Sequence, residues 1–244
     1  MTGPPTVLTV HAADPAGDEG ILEDALTLRD LGCRPVQVTT ALLLPRRKRS
    51  ALEGLPAALV AAQFAEAVSS VPPAAARTGI LADAAQIETV AALLRSSATS
   101  VVVCAPVARA GRSRVLDGDG VAAIRRHLFP LARVVVVRVG DLEAFSAGRA
   151  SDVAGLARAA AEIRSQGARA VLVTGGGWNG RVVDVLDDEG RISVFDTTRV
   201  VAPRVAGVAG AHPAALAAFL AKGEALARSA DAAQRHVGLR FDRT

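Results

Sequence analysis

The sequence predicts an α/β fold with a mostly parallel central sheet and helices packed on both of its faces, giving three layers. Three observations predict it. Short β-branched runs alternate with longer Ala/Leu segments of helical period. The runs are continuously apolar, as strands covered on both faces are. The chain of 244 residues suits one large domain with a sizeable core. With no linker, internal repeat or low-complexity stretch to split it, residues 1–244 read as a single domain.

The elements follow in order. VLTVHA (7–12) is a first strand, then a loop and a helix over 20–31; PVQVTT (35–40) is the second strand. A helix over 56–70 contains LVAAQFAEAV, and ARTGIL (76–81) is a strand end followed by a helix over 83–95. SVVVCAPV (100–107) and ARVVVVRV (132–139) are strands, with a helix near 118–128 between them. A helix near 152–166 leads to ARAVLVTGG (168–176), the last clearly buried strand. RVVDVLDDEGRISVF (181–195) reads as two antiparallel strands joined at Asp188-Glu189-Gly190. A helix from Pro213 at its first position to about Lys222 ends at Gly223, and a last helix covers 224–236.

Composition excludes several function classes. No apolar run is long enough to span a bilayer, and the start MTGPPTVLTV lacks the marks of a signal peptide, so no membrane association is expected. Cys33 and Cys104 are too few for a disulfide framework, which points to a reducing cytoplasmic location. The net charge is +4 and the pI about 10.0. Lys48 and Lys222 are the only lysines, however, and the one basic run, PRRKR at 45–49, has no interleaved aromatics. It reads as a solvated loop, and no nucleic-acid partner is expected. His11, His127, His212, His236 and the two Cys show no zinc-site spacing.

Four glycine-bearing loops fall where ligands bind in such folds, beyond the C-terminal ends of the strands: 14–20, 77–81, 174–177 and 207–213. They predict a small-molecule crevice. The stretch RVAGVAGAHPAALAAFLAKG (204–223) reads as a glycine turn opening a helix, which aims bare N–H groups and a positive dipole end at an anion.

LTVHAADPAGDEGILEDALTLRDLG resembles the opening of the hydroxymethylpyrimidine and phosphomethylpyrimidine kinases of thiamin synthesis. VTTAL, VAAQF, RTGILADAAQIETVAALL and AALAAFLAKG follow in that family's order, so the resemblance covers most of residues 7–236. It implies a ribokinase-like three-layer α/β domain, commonly a homodimer. Mg-ATP and an aminopyrimidine alcohol would meet at the strand ends. By position it implies substrate contacts at Asp14, Asp24, Pro45 and Gly79, and nucleotide or anion contacts at Thr174, Gly175, Gly176, Gly207, Gly210 and Ala211. Glu143 falls where the family has a carboxylate near magnesium, to be reached through water.

The departures from the family pattern run in one direction. Its catalytic Cys falls on the turn Gly207-Val208-Ala209-Gly210 or, one residue shifted, on Ala211, and a Cys is present in neither register. Pro45 replaces a pyrimidine-reading Gln, Asp18-Glu19 a Gly-Gly pair, Ala105 an Asp, Gly140 an Asn and Thr174 a Lys. Asp14, Asp24, Gly79, Glu143, Gly175, Gly176 and Asp184 survive.

Losing a general base costs about 10²–10⁴ in rate, and losing an anion-hole donor roughly 10²–10³. The sequence therefore reads as a degenerate kinase that binds a pyrimidine or nucleotide with little or no phosphoryl transfer. The competing reading is an active kinase with His212 as its proton acceptor, and a third is a purely structural subunit. The plainer reading of His212, and the favoured one, is an exposed residue at the helix start just before Pro213. His11 reads as a packed or pocket-lining side chain. Arg77 and Arg138, standing for a Lys and a Thr of the family, are forked anion donors or solvated side chains.

Overall fold

The computed structural model describes residues 3–15, 19–44, 51–69, 71–110, 113–148, 150–178, 180–198 and 208–241. In chain order the first half comprises β1 (Thr6–Ala13), α1 (Ile21–Asp30), β2 (Arg34–Leu44), β3 (Ala51–Gly54), α2 (Ala57–Ser69), β4 (Ala75–Thr78), α3 (Ala84–Ser96) and β5 (Val102–Cys104). A two-residue hairpin, β6 (Arg109–Ala110) and β7 (Ser113–Arg114), precedes α4 (Gly118–Ala123). Then come β8 (Val134–Arg138), α5 (Leu142–Phe145), α6 (Val153–Ser165), β9 (Ala170–Trp178), β10 (Arg181–Asp188), β11 (Arg191–Thr198), α7 (Val208–Ala221) and α8 (Leu226–Phe241). No described helix is long and apolar enough to cross a membrane.

Nine strands form one sheet in the order β11-β10-β9-β8-β5-β4-β1-β2-β3. The run from β9 to β2 is parallel, and antiparallel strands close both edges. The chain starts in the middle at β1, steps one way to β2, and then returns to β4 on the other side. That reversal puts a crevice between β1 and β4 at their C-terminal ends.

Strand periodicity sorts the core into two clusters. Leu8, Val10, Cys104, Val135, Val137, Val171 and Val173 pack with α2, α3 and α6 through Phe64, Ile87 and Ile163. The alternate residues Val7, Val103, Val134, Val136, Ala170 and Leu172 pack with α1, α7 and α8 through Leu28, Ala215 and Ala230. Cys33 lies in this second cluster. Three of the helices, α3, α4 and α6, start on aspartates, Asp83, Asp117 and Asp152, whose carboxylates accept from the N–H of Gln86, Gly120 and Gly155.

Three differences from the sequence-based expectation have physical reasons. β2 extends to Leu44 and pairs with β3, a short edge strand that the sequence did not announce. The segment expected as one helix near 118–128 is α4 followed by a π-turn, Ile124–Leu128, and a 3₁₀ turn at Pro130. The third concerns α7, which begins at Val208 and encloses Pro213, so that Pro213 is not its first residue. α7 is apolar nearly all round and lies between the sheet and its neighbours; burial of Ala211, Ala214, Ala215 and Ala218 offsets the proline.

Alanine lets α7 approach the sheet closely, and Ala215 is fully buried there. Ala215→Leu should overpack this contact and cost about 1–3 kcal/mol. The exposed Ala227→Leu should stay within about 0.5 kcal/mol. Urea unfolding midpoints of the two variants check this, and equal midpoints would refute the tight contact.

Candidate functional site

Three strand ends place polar side chains on the face that carries α1 and α7. Residue parity does this: His11 shares a face with Val7, Arg77 with Ala75, and Arg138 with Val134 and Val136. Together with Glu19, Ala105, Pro106, Val107, Gly210 and Pro213 they line a narrow cleft open to solvent. The cleft lies at the reversal between β1 and β4, opposite the first turns of α7.

Arg77 is only 2% exposed, and its NH1 donates to Asp24 Oδ2 of α1 at 2.9 Å. Burial pushes the Asp24 carboxyl up to about 7, against the opposing pull of Arg77. Asp24 Oδ1 and Arg77 Nε have no hydrogen-bond partner among the described residues.

His11 Nδ1 accepts two backbone N–H groups, Ala12 at 2.8 Å and Ile80 at 3.1 Å. Its ring proton must therefore sit on Nε2. Burial, and then the charges of Arg77 and Arg138, hold its pKa well below the ordinary imidazole value, so the ring is neutral. Gly79 is required by packing: a Cβ there would meet the His11 ring at 2.5 Å and collide with the Arg77 guanidinium.

Arg138 donates from Nε to Asp141 Oδ2 at 2.8 Å and from NH2 to the Arg109 carbonyl at 3.0 Å. The other Asp141 oxygen accepts the N–H groups of Ala108 and Arg109. Asp141 thus ties the Pro106–Val107 wall of the cleft to the end of β8. Cys104, on the opposite face of β5, is buried, and its thiol is pushed up to about 12.

The positions inferred from sequence divide sharply. Of those named as site residues, Gly210 lines the cleft, and Asp24 and Gly79 support Arg77 from behind. Asp14 is partly buried at the end of β1 and does not line it. Gly175 has a positive φ of 80°, and its N–H donates to Asp184 Oδ1 at 2.8 Å. Gly176 lies where a Cβ would strike Leu156 at 2.7 Å and the Val183 carbonyl at 2.8 Å. Both glycines therefore have reasons within the β9–β10 ladder. Thr174 is buried beside Arg138 in register, and Ala211 is buried in α7.

His212 is 7% exposed, so it is not an exposed helix-start residue, and it is absent from the cleft lining. Its Nε2 stands 3.2 Å from Asp184 Oδ2 without hydrogen-bonding geometry, and Nδ1 has no partner among the described residues. Glu143 is exposed on α5, away from the cleft lining. Among the described residues no three His, Cys, Asp or Glu side chains gather as a metal ligand set. A magnesium ion held on nucleotide phosphates would need only one or two carboxylates. Pro45, Gly207 and Asp18 lie outside the described residues. Sequence reasoning did not single out Asp141; its signal was an acid three residues past the end of a buried strand.

Comparison with known proteins decides the family. Residues 14–242 match the family described as phosphomethylpyrimidine kinase. The chain belongs to that family. It is 32% identical over 237 residues to the hydroxymethylpyrimidine/phosphomethylpyrimidine kinase of Streptomyces coelicolor, covering 96% of this chain and 87% of the relative. It is also 32% identical over 235 residues to the thiamine biosynthesis bifunctional protein ThiED of Geobacter sulfurreducens. That match covers 95% of this chain but only 48% of the longer relative, so the chain spans about half of it. Among solved structures, the ADP complex of Bacillus subtilis pyridoxal kinase superposes with a TM-score of 0.88 at 26% identity, over 96% of this chain and 90% of that one. The fold of this phosphomethylpyrimidine kinase family member is thus ribokinase-like.

Two predictions follow from the packing around His11. Gly79→Ala should displace the imidazole or Arg77 and cost about 1–3 kcal/mol in a urea melt; an unchanged midpoint would contradict the contact. His11→Asn keeps an acceptor for the Ala12 and Ile80 N–H groups but removes the titration. In the unfolded wild type the imidazole gains a proton below about pH 6.5, whereas the buried ring resists it. Its contribution is therefore present above that pH and lost as pH falls. The wild type should lose stability relative to His11→Asn by up to about 1.4 kcal/mol per pH unit below about pH 6. Asp24 titrates in both proteins and cancels in the comparison. Parallel stability curves would show that His11 is protonated in the fold.

Proposed function

We propose that this family member binds a small ligand, a pyrimidine or a nucleotide, in the β1–β4 cleft and transfers phosphate poorly or not at all, within thiamin synthesis. The observation that carries the reading is the makeup of the cleft. Apart from Glu19, whose carboxylate is close enough to act on the Arg77 charge, the lining around the two arginines offers Ala105, Pro106, Val107, Gly210 and Pro213 and no further acid or thiol. His11, the one imidazole there, already uses its lone pair on two backbone N–H groups. Arg77 and Arg138 supply oriented donors instead, a set suited to holding a ligand. Phosphoryl transfer needs positioning, charge neutralisation and help with the proton; the cleft supports the first two better than the third.

A second reading has its own observation. Nε2 of His212, on α7, lies beside the carboxylate of Asp184 on β10, an acid–imidazole pair that could take a proton if a ligand drew His212 toward the cleft. This would be an active kinase using Mg-ATP, as the family resemblance implies.

Thermal unfolding with hydroxymethylpyrimidine, Mg-ADP and Mg-ATP, alongside phosphorus NMR of the reaction, separates the two. A ligand at 100 times its Kd adds about 2.7 kcal/mol, roughly 5–10 °C for a chain of this size. The proposal expects such a shift, with turnover far below ~1 s⁻¹, and expects His212→Ala to keep the shift. Ordinary turnover that disappears in His212→Ala would overturn it in favour of the active kinase.

A further inference from the structure

The two edges of the sheet are finished differently. β3 closes one of them with only four residues, the last two being Glu53 and Gly54, which suits an edge that is to stay unextended. β11 closes the other with eight, and no described strand lies on its outer side. The hairpin that leads into β11 is a two-residue turn, Glu189-Gly190, with φ of 56° and 93°. Such a turn closes on a hydrogen-bonded pair, here Asp188 with Arg191. Alternation then gives Ser193 and Phe195 their bonds to β10, and it aims the N–H and C=O groups of Ile192, Val194 and Asp196 at the open edge. The side chains of these three stand on the face that α6 covers at β9 and β10. Ile192 is 45% and Val194 48% exposed there. A β-branched strand with its backbone and its apolar side chains both open is a template for another strand.

We propose that β11 is a docking edge for a second copy of this chain, which adds its own β11 antiparallel about a two-fold axis at Ser193 and continues the sheet across both molecules. The register follows from the edge itself. Centred on Ser193, each Ile192 lies opposite the second copy's Val194, so the outward-aimed residues exchange backbone bonds and four β-branched side chains cover one another. Asp196 lies opposite the second copy's Gly190, a position with no side chain. A Cβ at Gly190 would stand 3.9 Å from NH2 of Arg164, whose Nε is turned onto Asp187. The acidic end of each strand therefore meets a guanidinium beside the other strand, twice by symmetry. On the opposite face Arg191 comes over the second copy's Phe195. No like charges oppose one another in this register. Centring on Val194 instead would set Ile192 against Asp196 and lose the match. The two-fold contact is closed, so pairing through this edge stops at two copies.

Ser193 sits on the axis as a pair without backbone bonds between the copies, where Cα atoms approach to about 4.5 Å. Ser193→Cys should therefore link two full chains by a disulfide when incubated with oxidised glutathione. Thr197→Cys, on the same face but opposite the second copy's Glu189, should not. Cys33 and Cys104 are buried and do not compete. Sedimentation velocity of the unsubstituted chain should show association through this edge with a Kd below about 100 µM, as suits a small interface. Val194→Lys should weaken it at least about tenfold by placing charge on the apolar edge. Asp196→Asn should weaken it severalfold and flatten its salt dependence. Melting curves check that each variant remains folded.

A chain that stays monomeric at every concentration, a Ser193→Cys chain that links no faster than Thr197→Cys, or an assembly unmoved by Val194→Lys would each overturn the proposal. An assembly built through another face gives the last two results together.

Discussion

The buried ion pair between Arg77 and Asp24 constrains everything at the ligand end of this fold. It joins the central strand β4 to α1 across 53 residues of sequence, with both partners almost wholly out of water. A pair of this kind adds little net stability, because desolvation of two charges offsets their attraction. Removing one partner alone is costly, about 3–5 kcal/mol, because the other charge is then stranded. Here the pair is also incompletely satisfied, with Arg77 Nε and Asp24 Oδ1 left unpartnered. Its merit is positional: it stands a guanidinium rigidly at the floor of the cleft. Gly79 leaves room for it, and His11 packs against that same glycine.

Asp141 has the same role on the other wall. One carboxylate accepts two N–H groups from the loop after β5 and holds Arg138 with its second oxygen. The cleft is thus bounded by two carboxylate-anchored arginines, each set by contacts behind it. Such a pocket keeps its shape whether or not a ligand is present. The departures from the kinase pattern fit this picture. Under the proposed reading, small or apolar residues stand where the resemblance implies polar ones, while Arg77 and Arg138 stay anchored by Asp24 and Asp141.

Much of the architecture was legible in the sequence. The continuous apolar runs of β8 and β9, VVVV and AVLV, read as strands buried on both faces, and the hairpin at Glu189-Gly190 announced itself, with positive φ at both residues. The start of α7 was not legible. Val208, Gly210 and Pro213 are poor helix formers, and burial on several sides overrode local preference. The site was half legible. Resemblance located the loops, but the partnership of Arg77 with Asp24 and of Arg138 with Asp141 depends on strand parity and on a helix crossing the sheet. Gly175 and Gly176, which the resemblance links to a nucleotide, also have reasons of their own in a bulged ladder and a leucine contact, reasons that sequence could not show.

The two sulfurs have a consequence of another kind. Cys33 is packed in the layer of α1, α7 and α8, and Cys104 in the layer on the opposite face of the sheet. Both thiols are buried with raised pKa, so neither reacts readily from the closed fold. A thiol reagent can reach each one only when its own layer parts from the sheet. The chain therefore carries one chemical clock per layer, and their separate rates would tell which side of the sandwich breathes first.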